Sequence, residues 1–296
     1  MSDKDSAIEC MRNNALKKPH FAMTSDLVFK SMMSSKPCVI TTLNALPYFR
    51  HDPVKDVELN PMSKELIGEI GSRTAILDVI AKTDKGDIID IEMQMLVEPN
   101  LIMRARYYLS QMQVCSTPKG AGYEPEGWGV RKYMSIFFIG GDFFGDGTWY
   151  NEISACRQGS AAGVSRTEFV DDGTVILFCN LAMPYNEHKD KNDSDWHAFA
   201  MAIHDLQCSV PEDMCYPDFR KAMRTLQEDP NYMRSWQMDV ERDFAKRQIR
   251  HSLKKYPSKT IEEMADDICV DEEEIRIILQ MIADEDKAEA EAKIAD

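Results

Sequence analysis

The chain has 296 residues, 44% of them hydrophobic and 29% charged, with a formal net charge of −15. That size buries a core without disulfide or metal staples, and no run of roughly 18 apolar residues offers a bilayer span, so a soluble globular protein is expected. The first residues mix Asp3, Lys4, Asp5 and Glu9 with few apolar ones, unlike the basic-then-apolar order of a secretion signal, and the expected address is cytoplasmic.

Residues 1–20 are polar and unpatterned, as in an arm. From Thr24, an N-cap candidate, residues 24–35 set Leu27, Val28, Met32 and Met33 at helical spacing. A second helix is expected within 38–49, ending near Pro47, and a short edge strand at 54–59 before Pro61. Residues 74–96 read as a hairpin, because two Ile- and Val-rich runs flank Thr83-Asp84-Lys85-Gly86-Asp87. A three-residue loop closing on glycine suits a type I turn with a G1 bulge, since glycine accepts positive φ. If Thr83 faces Asp87, paired positions sum to 170, and Asp78 then stands directly opposite Glu92.

Side chains alternate along strands, so this register assigns faces. Ala75, Leu77, Val79, Ala81, Ile89, Ile91, Met93 and Met95 form an all-apolar core face. The other face mixes Ile76, Ile80 and Ile88 with Asp78, Asp90, Glu92 and Gln94, and is expected to be covered only partly, by a helix. Residues 101–115 supply a helix carrying Arg104, Tyr108 and Gln111 near one side. Strands follow at 133–139, 149–156 and 175–181, with Gly140, Gly141, Gly145 and Gly147 marking a loop between the first two. Helices are expected at 194–208, 216–227 and 232–255, the last stopped by Pro257. Two short helices, 260–268 and 271–282, come next, the second opened by Asp271 with Glu274 three residues on.

Charge is segregated along this plan. Residues 261–296 hold 14 acids against 3 bases, a net of −11 that leaves about −4 for the rest, whereas 231–260 hold eight Lys and Arg against three acids. The acidic tail either docks on the basic helix and competes with phosphate, or simply solubilises the chain. The expected organisation is an arm (1–20), a core (21–190), a helical extension with the basic helix (191–257) and an acidic helical tail (258–296).

Eight cysteines, Cys10, Cys38, Cys115, Cys156, Cys179, Cys208, Cys215 and Cys269, form no CxxC pair and read as reduced core thiols. His204, Cys208 and Cys215 match no common zinc spacing and lack a fourth ligand, so buried structural residues are the better reading.

The chemistry is expected at Asp78 and Glu92. Opposed carboxylates on an antiparallel pair have Cβ atoms roughly 4.5–5.5 Å apart, near enough to share one hard cation. Without it one acid should titrate abnormally high. Mg²⁺, which keeps several waters, suits two acids better than Ca²⁺, and the Met93 carbonyl is a candidate third ligand. Gln94, two residues after Glu92, shares its face; an amide can orient a water but neither deprotonate it nor bring positive charge. The alternative is an ordinary pair of polar residues on a solvated sheet face, against which the isoleucines around them argue.

The segment Ile76-Leu77-Asp78-Val79, then Gly86, then Ile91-Glu92-Met93-Gln94 resembles the core motif of the PD-(D/E)xK nuclease superfamily. In particular it resembles the recombination-promoting nuclease and transposase branch, in which the last position is commonly glutamine. Asp26-Leu27-Val28-Phe29-Lys30 and Arg104-Ala105-Arg106-Tyr107-Tyr108 resemble that branch's flanking signatures, and the likeness spans about residues 24–185.

The resemblance implies a restriction-endonuclease-like α/β (α+β) fold, a mixed central sheet flanked by helices, with a helical C-terminal extension. It implies DNA phosphodiester hydrolysis with Mg²⁺, for which Mn²⁺ can substitute, with Asp78, Glu92 and Gln94 as catalytic positions and DNA as partner. Glu69, ahead of Glu58, is the candidate for a further carboxylate, and Arg73, Arg104 and Tyr108 for phosphate contacts. A homodimer is a compatible assembly. Two other readings stay open: a nuclease-fold DNA-binding protein whose site has decayed, and a hydrolase of a different phosphoester.

Overall fold

The computed structural model describes residues 23–62, 65–66, 75–95, 97–117, 120, 130–161, 164–181, 199–200, 202–203, 216–268 and 271–294. They divide into two compact units, Phe21–Met223 and a second one that contains Arg224–Asp296.

The first unit opens with helices α1 (Asp26–Met32) and α2 (Lys36–Asn44). Val28, Phe29 and Met32 are buried as their spacing requires. The N-cap of α1 is Ser25, not Thr24, and its side chain makes no capping hydrogen bond. The second predicted helix is shorter than expected: it ends at Asn44, and a 3-10 turn follows at Pro47–Phe49, where proline fixes φ and lacks an N–H.

A six-stranded mixed sheet forms the centre, in the order β1 (Val57–Leu59), β4 (Val79–Thr83), β5 (Ile88–Gln94), β6 (Tyr133–Ile139), β10 (Thr174–Asn180), β7 (Tyr150–Ile153). Strand β1 is the expected edge strand. β5, β6 and β10 run parallel, while β1, β4 and β7 are antiparallel to their neighbours. Joining parallel β5 and β6 requires a crossover, and helix α3 (Leu101–Ser116) lies within it. Two further pairs stand outside this sheet, β2 (Glu65–Leu66) with β3 (Ala75–Ile76) and β8 (Cys156–Ala161) with β9 (Val164–Phe169). The strand expected over 149–156 is the shorter β7, ending at Ile153, and the pair β8 and β9 was not anticipated because its Arg, Gln, Ser, Thr and Glu dilute the apolar signal.

The hairpin register is as derived: Val79 pairs with Ile91, Ile80 with Asp90 and Ala81 with Ile89. Gly86 takes φ 87°, a conformation glycine adopts without a Cβ clash, and its N–H donates to the Thr83 carbonyl at 2.9 Å. The face assignment needs one correction. The chain bends at Leu77 and Asp78, so Leu77 packs with the α3 side and not with the opposite face. The face carrying Ile80 and Ile88 is covered over most of its length, with Asp78 and Gln94 left partly exposed: with Leu101, Ala105, Tyr108, Met112, Phe137 and Phe178 the two isoleucines form one apolar cluster beneath α3. On the other face Phe138 meets Phe199, which packs against Phe219 of helix α4 (Pro217–Glu228).

Of the described cysteines, Cys38 and Cys179 are buried as expected, but Cys115 and Cys156 are exposed. The first lies on the outer side of α3 beside exposed Val114, and the second on the pair outside the main sheet. The zinc reading of His204, Cys208 and Cys215, the N-terminal arm and most of the helix expected at 194–208 lie outside the described residues.

In the second unit, α5 (Pro230–Lys255) is capped by Asp229, whose carboxylate accepts from the Asn231 N–H at 2.8 Å. Helices α6 (Ile261–Ile268) and α7 (Glu272–Ile294) follow, and α7 runs well past the expected end at 282, through an Ala- and Glu-rich stretch of high helix propensity. Ile249, Met264, Ile275, Ile278 and Ile282 make their shared core. The basic and acidic helices are joined by ion pairs, Arg242 with Glu274 at 2.8 Å and Arg250 with Asp286 at 2.6 Å. No helix among the described residues is long and apolar enough to cross a membrane.

Candidate active site

Asp78 sits in the bend before β4, one position beyond the ladder, and Glu92 lies in β5. The expected cross-strand partnership is preserved in altered form. The Asp78 N–H, released from the ladder by the bend, donates to Glu92 Oε1 at 2.9 Å. The backbone of one acid thus anchors the carboxylate of the other.

Helix α3 packs on β6, and Arg104 in its first turn reaches across to β5. Its guanidinium donates to Glu92 Oε2 at 3.0 Å, to Gln94 Oε1 at 2.8 Å and to the Tyr108 hydroxyl at 2.8 Å. It also lies over the Tyr108 ring, 5.3 Å from the centroid. Arg104 and Tyr108, predicted as phosphate contacts, are therefore part of the acid cluster, with Arg104 forked between Glu92 and Gln94. Gly140 follows β6 and donates to the Gln94 carbonyl at 3.1 Å, and a Cβ there would run into the Met95 backbone, so the chain beside Gln94 requires a glycine.

Two groups went unassigned in the sequence reading. Lys30 of α1 brings Nζ to 3.2 Å from Asp78 Oδ1 while also pairing with Asp26 at 2.8 Å. Burial lowers its pKa, but the Asp26 and Asp78 carboxylates outweigh that and hold it above its usual value. Its signal was present in the Asp26-to-Lys30 signature, yet nothing local connects position 30 with 78. Asp90, noted earlier only as one of a polar face, is fully buried between Ile89 and Ile91; the Ser135 hydroxyl donates to its Oδ2 at 3.0 Å, and Oδ1 has no hydrogen-bond partner.

The electrostatics follow from this crowding. Burial first, and then the charge of Asp78, push the Glu92 carboxyl up to about 7, with the Asp78 N–H and Arg104 pulling the other way. Burial and the neighbouring Glu92 likewise drive Asp90 well above the carboxylate range. Three acids face two cations, Lys30 and Arg104; Asp90 and Glu92 are buried, while Asp78 and both cations keep part of their surface in solvent.

Met93 lies between Glu92 and Gln94 on β5. Glu58 pairs with Lys82 toward the turn end of the hairpin and is not brought to the acids. Glu69 and Arg73 fall outside the described residues. Among the described residues no third His, Cys, Asp or Glu joins a group of three able to hold a metal.

A mixed sheet flanked by helices, with an acid pair at the open end of its central hairpin and an arginine returned to it by the following helix, defines a restriction-endonuclease-like α/β fold. The family model for the PD-(D/E)XK nuclease family transposase matches residues 23–227, and the chain belongs to that family. No curated protein and no solved structure matches it. Membership makes this a nuclease-type domain, in a family whose nucleases generally use divalent metals.

Proposed function

We propose that the protein is a divalent-metal-dependent endonuclease that hydrolyses DNA phosphodiesters. Asp78 and Glu92 are its metal-binding acids, the Met93 carbonyl a third ligand, and Gln94 the amide that orients the attacking water. The observation that carries the reading is the pair itself: two carboxylates, joined through the Asp78 N–H, with Glu92 pushed up to about 7. Sites that hold an acid so far from its ordinary value at the cost of stability are candidates for chemistry.

The donor set fits a hard cation. It is oxygen only, and its two carboxylates, crowded against each other, are negative once ionised. Mg²⁺ is the expected ion, with Mn²⁺ as substitute; when bound it would polarise the scissile phosphate and acidify a water. What the chain's own groups do is separate. Asp78 and Glu92 supply the charge that attracts the cation. Arg104 holds the Glu92 and Gln94 side chains in fixed relation through its planar fork. The Tyr108 and Phe137 rings lie beside the guanidinium and help to hold it in place.

The test is nicking of supercoiled plasmid by the full chain with Mg²⁺ or Mn²⁺. Wild type should cleave and Asp78→Ala should not; equal rates from the two would sink the assignment. A non-cleaving DNA-binding protein is the second reading, favoured by Gln94 in the lysine position. It predicts salt-dependent DNA affinity that is lost when the bases of 246–255 are neutralised, with no cleavage under any metal.

A further inference from the structure

We propose that Lys30, on the first helix, supplies the positive charge at the scissile phosphate that Gln94 cannot, so that the lysine of this active site comes from α1 instead of from β5. The inference rests on the nuclease reading above and assigns a further catalytic residue within it.

The argument is one of elimination among the described cations. Gln94 is neutral, and its Oε1 already accepts from Arg104. Arg104 is itself committed: its three nitrogens donate to Glu92, Gln94 and Tyr108, and its plane rests over two aromatic rings. Turning it toward a substrate would strip Glu92 of its counter-charge in a buried setting, which is costly.

Lys30 differs on each count. Its side chain is 43% exposed, and its ammonium is a compact charge with three donors on a flexible stem. It stands 3.2 Å from Asp78 Oδ1, and its other partner, Asp26, is an i,i+4 neighbour with a side chain 70% exposed. Surface pairs of that kind are weak, so the ammonium leaves Asp26 at little cost. An anion gathered beside Asp78 therefore meets Lys30 first. A positive charge aimed at a phosphate stabilises the charge that develops there during displacement.

A lysine that merely props Asp78 in place would give the same wild-type structure, so the test must separate the two roles. Full-length wild type, Lys30→Met, Lys30→Arg and the double variant Lys30→Met/Gln94→Lys are compared for plasmid nicking. Mn²⁺ affinity is measured in parallel, without DNA, from the electron paramagnetic resonance signal of free Mn²⁺. Lys30→Met is expected to cut ~100-fold more slowly, as for loss of one preorganised charge, while binding Mn²⁺ as tightly as wild type or more so, because a competing ammonium has left Asp78. Lys30→Arg keeps part of the rate. Gln94→Lys in the Lys30→Met background restores the rate by ~10-fold or more, the equivalent of about 1.4 kcal/mol of barrier.

Lys30→Met cutting at the wild-type rate would overturn the proposal and leave the nuclease reading standing. Joint loss of cleavage and Mn²⁺ binding, with no recovery from Gln94→Lys, would also overturn it by making Lys30 a support for Asp78. Wild type as inert as Asp78→Ala would overturn the nuclease reading, and this assignment with it.

Discussion

At its turn end the β4–β5 hairpin buries Asp87, and at its open end it buries Asp90 and Glu92. Both ends recruit an arginine. Arg131 grips Asp87 with two bonds, Nε to Oδ1 at 2.7 Å and Nη2 to Oδ2 at 2.6 Å, and the Thr83 hydroxyl donates to the same carboxylate. Asp52 pairs with both Arg131 and Lys85, so the local charges balance. At the open end one arginine is divided between Glu92 and Gln94, and the acids outnumber the cations that reach them. A matched bidentate pair with its lone pairs satisfied is a clamp that fixes a turn. An unmatched cluster leaves electrostatic strain that a bound cation would relieve, and on that difference rests the proposal that the open end is the working site.

The comparison can be broken most sharply by activity. Asp78→Ala should lower metal-dependent nicking by roughly a thousandfold, the rate equivalent of losing several kcal/mol of charge stabilisation, whereas Asp87→Ala should leave the rate per folded molecule within a few fold. Similar losses from both would erase the distinction.

The next effect is on pH dependence of stability without metal. Glu92 is held above its unfolded value of 4.5, at about 7. A carboxyl raised on folding contributes stability that is complete below the unfolded value and lost as pH rises through the folded one, and Asp90 acts in the same direction. Denaturant titrations should show the metal-free protein losing on the order of 3 kcal/mol between about pH 4.5 and 8. Glu92→Gln should flatten that slope, and Mg²⁺ should oppose it. A stability that rises over this interval would contradict the electrostatic picture.

Removing Asp87 leaves Arg131 facing a dry pocket, but that arginine is 42% exposed and can rehydrate, so Asp87→Ala should cost about 2 kcal/mol, less than a fully buried pair would. The smallest effect belongs to the turn. Gly86→Ala forces an L residue to φ 87° and should cost about 1 kcal/mol in urea melts, with no change in cleavage rate per folded molecule.

The hairpin was readable in advance because its information is local. One glycine at a turn sets a register, the register sets the faces, and Val79 opposite Ile91 then follows without coordinates. The bend at Asp78 was not readable, because alternation alone cannot reveal where a strand leaves one sheet for another. Lys30 was missed for a different reason: its meeting with Asp78 depends on how α1 packs, a contact across 48 positions that no periodicity encodes. The burial of Asp90 is likewise tertiary, since it follows from the apolar cluster that α3 builds over the middle of this face.

The main-chain origin of the bond between residue 78 and Glu92 decides which substitutions are clean. Any replacement at 78 other than proline retains that amide, so truncating this aspartate subtracts a charge while the glutamate keeps its tether. The reverse exchange does not hold: shortening Glu92 strands an N–H at the bend and also frees Arg104. A mutational survey that scores the two positions alike would thus be comparing a pure electrostatic deletion with a collapse of the surrounding scaffold.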